Sequence, residues 1–189
     1  MYKGHKYDFR IYVLMTTAIS PMQLFLYEDG LVRLASEKYD PSKGIEDHFV
    51  HLTNYSLNKD NSNFDESQHK LRLKDVLKGE MINTSTNGRT YRKNARVIWA
   101  EIEEMIVKTF FTIQPQLAHL YRTSQAKEPD CCFDLLGFDV MLDHKLKPWM
   151  LEVNHMPSFR ADTEIDLIVK KNLIKNTLQI LQLSLEQRR

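Results

Sequence analysis

The stretch Phe133–Asn154, FDLLGFDVMLDHKLKPWMLEVN, decides how this chain is read. Leu136, Phe138, Val140 and Leu142 recur at every second position, as do Trp149, Leu151 and Val153 beyond the connection His144-Lys145-Leu146-Lys147. Period-two patterning of this kind marks strands with one buried face. If the two strands pair as an antiparallel hairpin, both apolar sets must face one core, and the parity of the register is then fixed. With Asp143 opposite Pro148, Asp139 stands opposite Glu152, while Glu152 and Asn154 project together because they are two residues apart.

Two carboxylates directly across a ladder repel by about 0.2–1 kcal/mol in solvent, and by more where water is scarce. A divalent cation offsets that repulsion. Asp139, Glu152 and Asn154 offer oxygen ligands, the set that Mg²⁺ prefers, with further positions left for water and phosphate oxygens. A solvated polar face and a proton shared by the two carboxylates are the other readings that the pattern allows.

Outward from this hairpin, the N-terminal segment Lys6–Met15 repeats the same periodicity. Tyr7, Phe9, Ile11, Val13 and Met15 form an apolar face, with Lys6, Asp8 and Arg10 on the other. The basic residues ahead of Ile11–Met15 could also open a signal peptide, but Asp8 and the strict alternation favour a strand. The polar face suits polyphosphate, with Lys and Arg neutralising charge around one carboxylate, and it equally suits a water-facing row of salt bridges. Met22–Tyr27 reads as a second strand, with Asp29-Gly30 as a hairpin turn before Leu31, Val32 and Arg33. Residues 56–93 read mostly as loop, with one short helix near Leu71–Leu77. Ile98, Ile102, Met105, Ile106, Thr109 and Ile113 predict a helix over Ala95–Gln114 that Pro115 ends or kinks. Leu167, Ile174, Leu178, Leu181 and Leu185 predict a second helix, capped by Asp162 or Thr163. The fold class is therefore α+β: an antiparallel sheet with packed helices.

Composition narrows the function classes. At 189 residues the chain suits one domain, taken here as 1–185 with a short tail 186–189. Lys and Arg number 26 against 25 Asp and Glu, so a net charge of +1 gives no global pull toward nucleic acid or an acidic membrane, and neither is expected as a partner. Six glycines form no phosphate loop of the G-x-G-x-x-G or G-x-x-x-x-G-K type, so a nucleotide would need another device. Cys131 and Cys132 are adjacent, which suits reduced thiols better than a disulfide, and no zinc-ligand spacing occurs among the seven histidines.

Several segments together resemble the tubulin–tyrosine ligase-like family. They are Lys6-Tyr7-Asp8-Phe9-Arg10 with Tyr12-Val13-Leu14, Gly30-Leu31-Val32-Arg33, and His51-Leu52-Thr53-Asn54-Tyr55-Ser56 with Asn58-Lys59. Leu136-Gly137-Phe138-Asp139 follows, then Leu146-Lys147-Pro148-Trp149-Met150-Leu151-Glu152-Val153-Asn154-His155 with Pro157-Ser158. The resemblance implies an ATP-grasp fold, in which ATP lies between antiparallel sheet layers, and an ATP-dependent carboxylate–amine ligase working through an acyl phosphate. By motif, Asp139, Glu152 and Asn154 resemble the Mg²⁺ ligands, with Glu152 also counted as catalytic. Lys6, Asp8, Thr53 and Asn54 resemble the nucleotide contacts. Arg10 resembles the residue that steadies the acyl phosphate, and Arg33, Tyr55, Ser56 and Lys70 resemble the pocket for the incoming amino acid.

Within that family the motifs look most like the glutamylating branch. They imply free glutamate as substrate, acidic tubulin C-terminal tails and microtubules as partners, and a place in the cytoplasm on the cytoskeleton, cilium or basal body. Met156 departs from the small residue usual after His155. Tyrosine- and glycine-adding ligases of the same family are alternatives. The resemblance also implies that the chain corresponds to the C-terminal half of the ligase core, because only Met1–His5 precede the Lys-x-Asp-x-Arg strand; alone, such a half would bind Mg²⁺ weakly and turn over ATP poorly. A different class of reading is a catalytically silent module that grips acidic tubulin tails through Arg89, Arg92, Lys93 and Arg96.

Overall fold

The computed structural model describes residues 1–19, 21–78, 81–86, 88–124 and 132–182. Two long strands come first, β1 (His5–Thr17) and β2 (Gln23–Lys38), followed by the single helical turns α1 (His48–His51), α2 (Tyr55–Asn58) and α3 (Glu66–His69). Strand β3 (Lys70–Arg72) and turn α4 (Leu73–Val76) lead to a separate hairpin, β4 (Met81–Thr86) and β5 (Arg89–Asn94). Helix α5 (Ala95–Thr123), strands β6 (Asp134–Leu142) and β7 (Pro148–Asn154) and helix α6 (Glu164–Ile180) complete the order. The main sheet is antiparallel throughout, in the order β3-β2-β1-β6-β7. The expected antiparallel sheet with packed helices is present.

Helices cover both faces of this sheet because β1, at its centre, is apolar on one side and mixed on the other. Tyr7, Phe9, Ile11 and Val13 join Phe138 and Val140 of β6 in a core closed by Ile98, Ile102, Ile106 and Phe110 of α5. Phe110 and Phe138 meet with ring centroids 5.9 Å apart. Full burial of each such side chain contributes roughly 1.5–3 kcal/mol. On the opposite face, Tyr12, Leu14, Leu31 and Leu135 pack against Val169 and Leu173 of α6. Lys6–Met15 thus lies inside one central strand, as the alternation requires.

Tertiary contacts override four local expectations. Asp29-Gly30 makes no hairpin turn: β2 runs straight through it, with a register shift against β1 between Ile11 and Val13. A Cβ at Gly30 would lie 2.4 Å from the Arg10 carbonyl oxygen, so glycine serves close strand approach. The buried Asp29 carboxylate is held by the Gly30 and Lys74 amides and by Arg72. Helix α5 continues through Pro115. The carbonyl that loses its donor belongs to Phe111, a residue 75% exposed, while buried Ala118 extends the core stripe beyond the proline.

Helix α6 starts after Thr163, whose Oγ1 accepts from the Asp166 amide at 2.9 Å, but it buries a different stripe from the leucine one. Asp166, Val169, Lys170, Leu173 and Thr177 face inward, while Leu167 and Leu178 are exposed. Leu185 lies outside the described residues. Residues 56–93 contain β3 and the β4–β5 hairpin, not only loop. Cys131 lies outside the described residues, and Cys132 is exposed.

Candidate active site

The hairpin of β6 and β7 reaches the expected facing pair by an unexpected route. Leu142 pairs with Pro148, Met141 with Trp149 and Val140 with Met150, one residue out of step with Asp143 opposite Pro148. A bulge between Asp139 and Val140 then shifts the register, so that Asp139 faces Glu152 and Gly137 faces Asn154. The same bulge splits the apolar set Trp149, Leu151, Val153. Val153 pairs with Phe138 on the core side, whereas Trp149 pairs with Met141 on the other and donates its Nε1–H to Asp143. All three side chains stay 39–51% exposed on this edge strand.

One face of the sheet carries a row of charges on two adjacent levels, which meet at Asp8 and Arg10 of β1. Lys70 of β3 pairs with Arg33 of β2, Arg33 with Asp8 of β1, Arg10 of β1 with Asp139 of β6, and Asp139 with Glu152 of β7. Directly paired residues share a face, so the ladder itself ranks these side chains together. Arg10 forks onto Asp139, Nε to Oδ1 at 2.5 Å and Nη2 to Oδ2 at 3.0 Å. Arg33 forks onto Asp8 and its Nη2 also reaches Asp139 Oδ2 at 2.7 Å. Thr53 Oγ1 donates to Asp8 Oδ2 at 2.6 Å, completing a buried relay from Thr53 to Arg10. A Cβ at Gly137 would come within 3.1 Å of both Arg10 Cδ and Pro157 Cβ, so this glycine leaves room for the Arg10 stem.

Burial alone would raise the Asp139 carboxyl, but the Arg10 hydrogen bond and the charge of Arg33 outweigh it and hold the group below the ordinary value. Burial likewise pulls the Arg33 guanidinium down, and Asp8 and Asp139 more than reverse this, so Arg33 stays charged. Burial pushes the Tyr12 phenol up to about 12, which keeps it neutral.

Beside this row opens a cleft of about 450 Å³. Six expected residues line it: Arg10, Arg33, Asn54, Tyr55, Ser56 and Lys70. Asp8, Thr53 and Asp139 do not; all three are buried, Asp8 and Asp139 holding Arg33 and Arg10, and Thr53 holding Asp8. Lys6, Glu152 and Asn154 also stand outside its lining; Lys6 Nζ donates to the His51 carbonyl at 2.6 Å. Lys59, Arg160, Asp162, Asp166 and Lys170 complete the charged lining and were missed as site residues by sequence reasoning. Asp166 and Lys170, four apart between apolar neighbours on α6, were the signal that could have revealed them. With six cationic side chains against two aspartates in its lining, the cleft suits an anionic ligand.

Of the three oxygen-bearing residues expected to hold a cation, Asp139 pairs with Glu152 across the ladder. Glu152 and Asn154 touch through Asn154 Nδ2 and Glu152 Oε1 at 3.1 Å. Among the described residues no group of three His, Cys, Asp or Glu gathers around a metal position, and a cation held by Asp139, Glu152 and Asn154 would share the Asp139 carboxylate with Arg10 and Arg33. The basic run outside the cleft is not a single patch. Arg89, Arg92 and Arg96 are exposed, but Lys93 turns to Glu101 at 2.6 Å.

On this sheet face the guanidiniums of Arg10 and Arg33 hold Asp8 and Asp139, and the ammoniums of Lys70 and Lys170 hold Asp166. The chain matches the tubulin-tyrosine ligase family over residues 1–189 and belongs to it. It is 40% identical over 182 residues to a probable beta-tubulin polyglutamylase of Tetrahymena thermophila, covering 94% of this chain and 15% of that protein. It is also 40% identical to human tubulin polyglutamylase TTLL7, covering 99% of the chain and 21% of the relative, and to human tubulin polyglutamylase TTLL6, covering 95% and 20%. The chain therefore spans about a fifth or less of the length of these relatives.

Proposed function

We propose that this chain supplies the amino-acid and metal side of the active site in an ATP-dependent ligase of ATP-grasp type, which adds glutamate to glutamate side chains of tubulin C-terminal tails. The observation that carries this reading is the cationic cleft beside Arg10, which matches the two carboxylates of free glutamate in charge. Relatives named as tubulin polyglutamylases support the same substrate class. The proposed partners are accordingly tubulin and microtubules, at the cytoskeleton.

In this reading ATP phosphorylates the acceptor carboxylate, and the amine of free glutamate attacks the resulting acyl phosphate and releases inorganic phosphate. Asp139, Glu152 and Asn154 would hold Mg²⁺, which when bound lowers the cost of charge building on the transferring phosphoryl group. Arg10, fixed on Asp139, offers a guanidinium to the acyl phosphate. Lys6, Asp8, Thr53 and Asn54 form the nucleotide side, with Asp8 also keeping Arg33 in place. Arg33, Tyr55, Ser56 and Lys70 receive the amino acid in the cleft.

The test is ATP-dependent incorporation of labelled glutamate into tubulin by this chain joined behind the N-terminal part of a polyglutamylase. Glu152→Gln is expected to abolish incorporation by removing a charged metal ligand. Full incorporation by that variant, or incorporation of tyrosine or glycine in place of glutamate, would overturn the reading.

A further inference from the structure

Helix α6 carries an ionised cluster on its buried face. Asp166 is fully buried and Lys170 is 8% exposed, and both stand among Val169 and Leu173 on the side turned to the sheet. Such a carboxylate is tolerated only with close partners, and it has two ammoniums. Lys70 Nζ lies 2.5 Å from Oδ2. Lys170 Nζ lies 2.9 Å from Oδ1, near enough for an ion pair though not aligned for a hydrogen bond. The Thr163 hydroxyl also fixes the carboxylate, donating to Oδ2 at 3.1 Å.

Both lysines line the cleft. Lys70 Nζ sits 4.1 Å from the centre of the Tyr55 ring, and Lys170 Nζ also donates to the Arg160 carbonyl. An ammonium has three N–H donors, so each lysine, tethered through one or two of them, keeps donor capacity for a ligand in the cleft. A free lysine must give up much of its rotamer freedom to hold an anion, and here Asp166 removes that freedom beforehand.

We infer that Asp166 is a positioning residue that sets Lys70 and Lys170 to receive a carboxylate of the incoming amino acid. The inference rests on the reading of the cleft as the amino-acid pocket. It has a signature in sign. If the cleft attracted anions by net charge alone, Asp166→Asn would remove a negative charge and tighten binding. Positioning demands the opposite, because the freed ammoniums lose their orientation.

The experiment is calorimetric titration of L-glutamate into the full chain and its variants. Asp166→Asn is expected to weaken binding by roughly tenfold or more, the scale of a lost hydrogen bond to a charged group. Lys170→Met is expected to weaken it as well. A Lys70 side-chain ¹⁵N signal protected from solvent exchange is expected in the wild type, and its loss is expected in Asp166→Asn. Should that variant fail to fold, Thr163→Val keeps the charge but removes its anchor, and a smaller loss of the same sign is expected. Wild-type binding with equal or tighter binding by the folded variant overturns the positioning role alone. A wild-type chain that binds no glutamate overturns both the positioning role and the reading of the cleft beneath it.

Discussion

The two ends of the polar sheet face bury carboxylates by different means. At the β6 end, Asp139 is clamped by two guanidiniums, Arg10 from the neighbouring strand β1 and Arg33 from β2 beyond it, each from a position set by ladder register. At the β3 end, Asp166 arrives from a helix and is clamped by two ammoniums, one from β3 and one from its own next turn. Guanidinium forks are rigid and flat, so the first end is a locked frame in which Arg10 and Arg33 are already engaged. Ammoniums are point charges with donors to spare, so the second end keeps capacity for a ligand. The same face thus carries the Glu152 and Asn154 oxygens at one edge and the Lys70 and Lys170 ammoniums at the other, with the Arg10–Asp139 pair between them.

The strongest way to break this contrast is Asp139→Asn. It leaves two buried guanidiniums short of a counter-charge and should cost about 3–5 kcal/mol, read from urea unfolding midpoints. A cost below about 1 kcal/mol, the range of exposed pairs, would mean that the frame is not locked.

Acid offers the next test. Asp139 and Asp166 both have lowered native values, because cation contacts outweigh the burial that would raise them. Their stabilisation is thus fully present above the unfolded carboxylate range near 4 and is lost as pH falls through the lowered native values, with a slope of up to about 1.4 kcal/mol per pH unit for each group. Unfolding curves from pH 6 down to pH 2 should show this loss, and Asp139→Asn should flatten it by its own share. An unchanged slope in that variant would remove Asp139 from the account.

Gly137→Ala tests the frame more gently. The added methyl presses on Arg10 Cδ and Pro157 Cβ, and overpacking of this kind costs about 1–3 kcal/mol. A neutral result by thermal unfolding would show that the Arg10 stem has room to move.

Much of this arrangement was legible before any coordinates. Alternation in Lys6–Met15 and Leu136–Leu142 placed the central strands and their core faces, because a period of two admits one inward set. The pairing of Asp139 with Glu152 was also legible, yet it survives only because a bulge restores a register that Leu142 and Pro148 had shifted. Gly30 was misread as a turn residue because close strand approach and tight turns ask for the same side chain, and only the neighbouring strand tells them apart. Of the two outcomes open at Pro115, an end or a kink, the end is excluded because α5 continues to Thr123, where the proline's local cost falls on the exposed residue Phe111.

By itself the sequence determined the central strand β1 and the β6–β7 hairpin, the chemistry of the Asp139, Glu152 and Asn154 side chains, and the motifs that mark the family. Tertiary structure alone decided which face of α6 is buried, and so that Asp166 and Lys170 reach the cleft while Leu167 does not. The reason is physical. Periodicity records hydrophobic burial, whereas a buried ion pair depends on a partner distant in the chain, and Lys70 meets Asp166 only once β3 has joined the sheet.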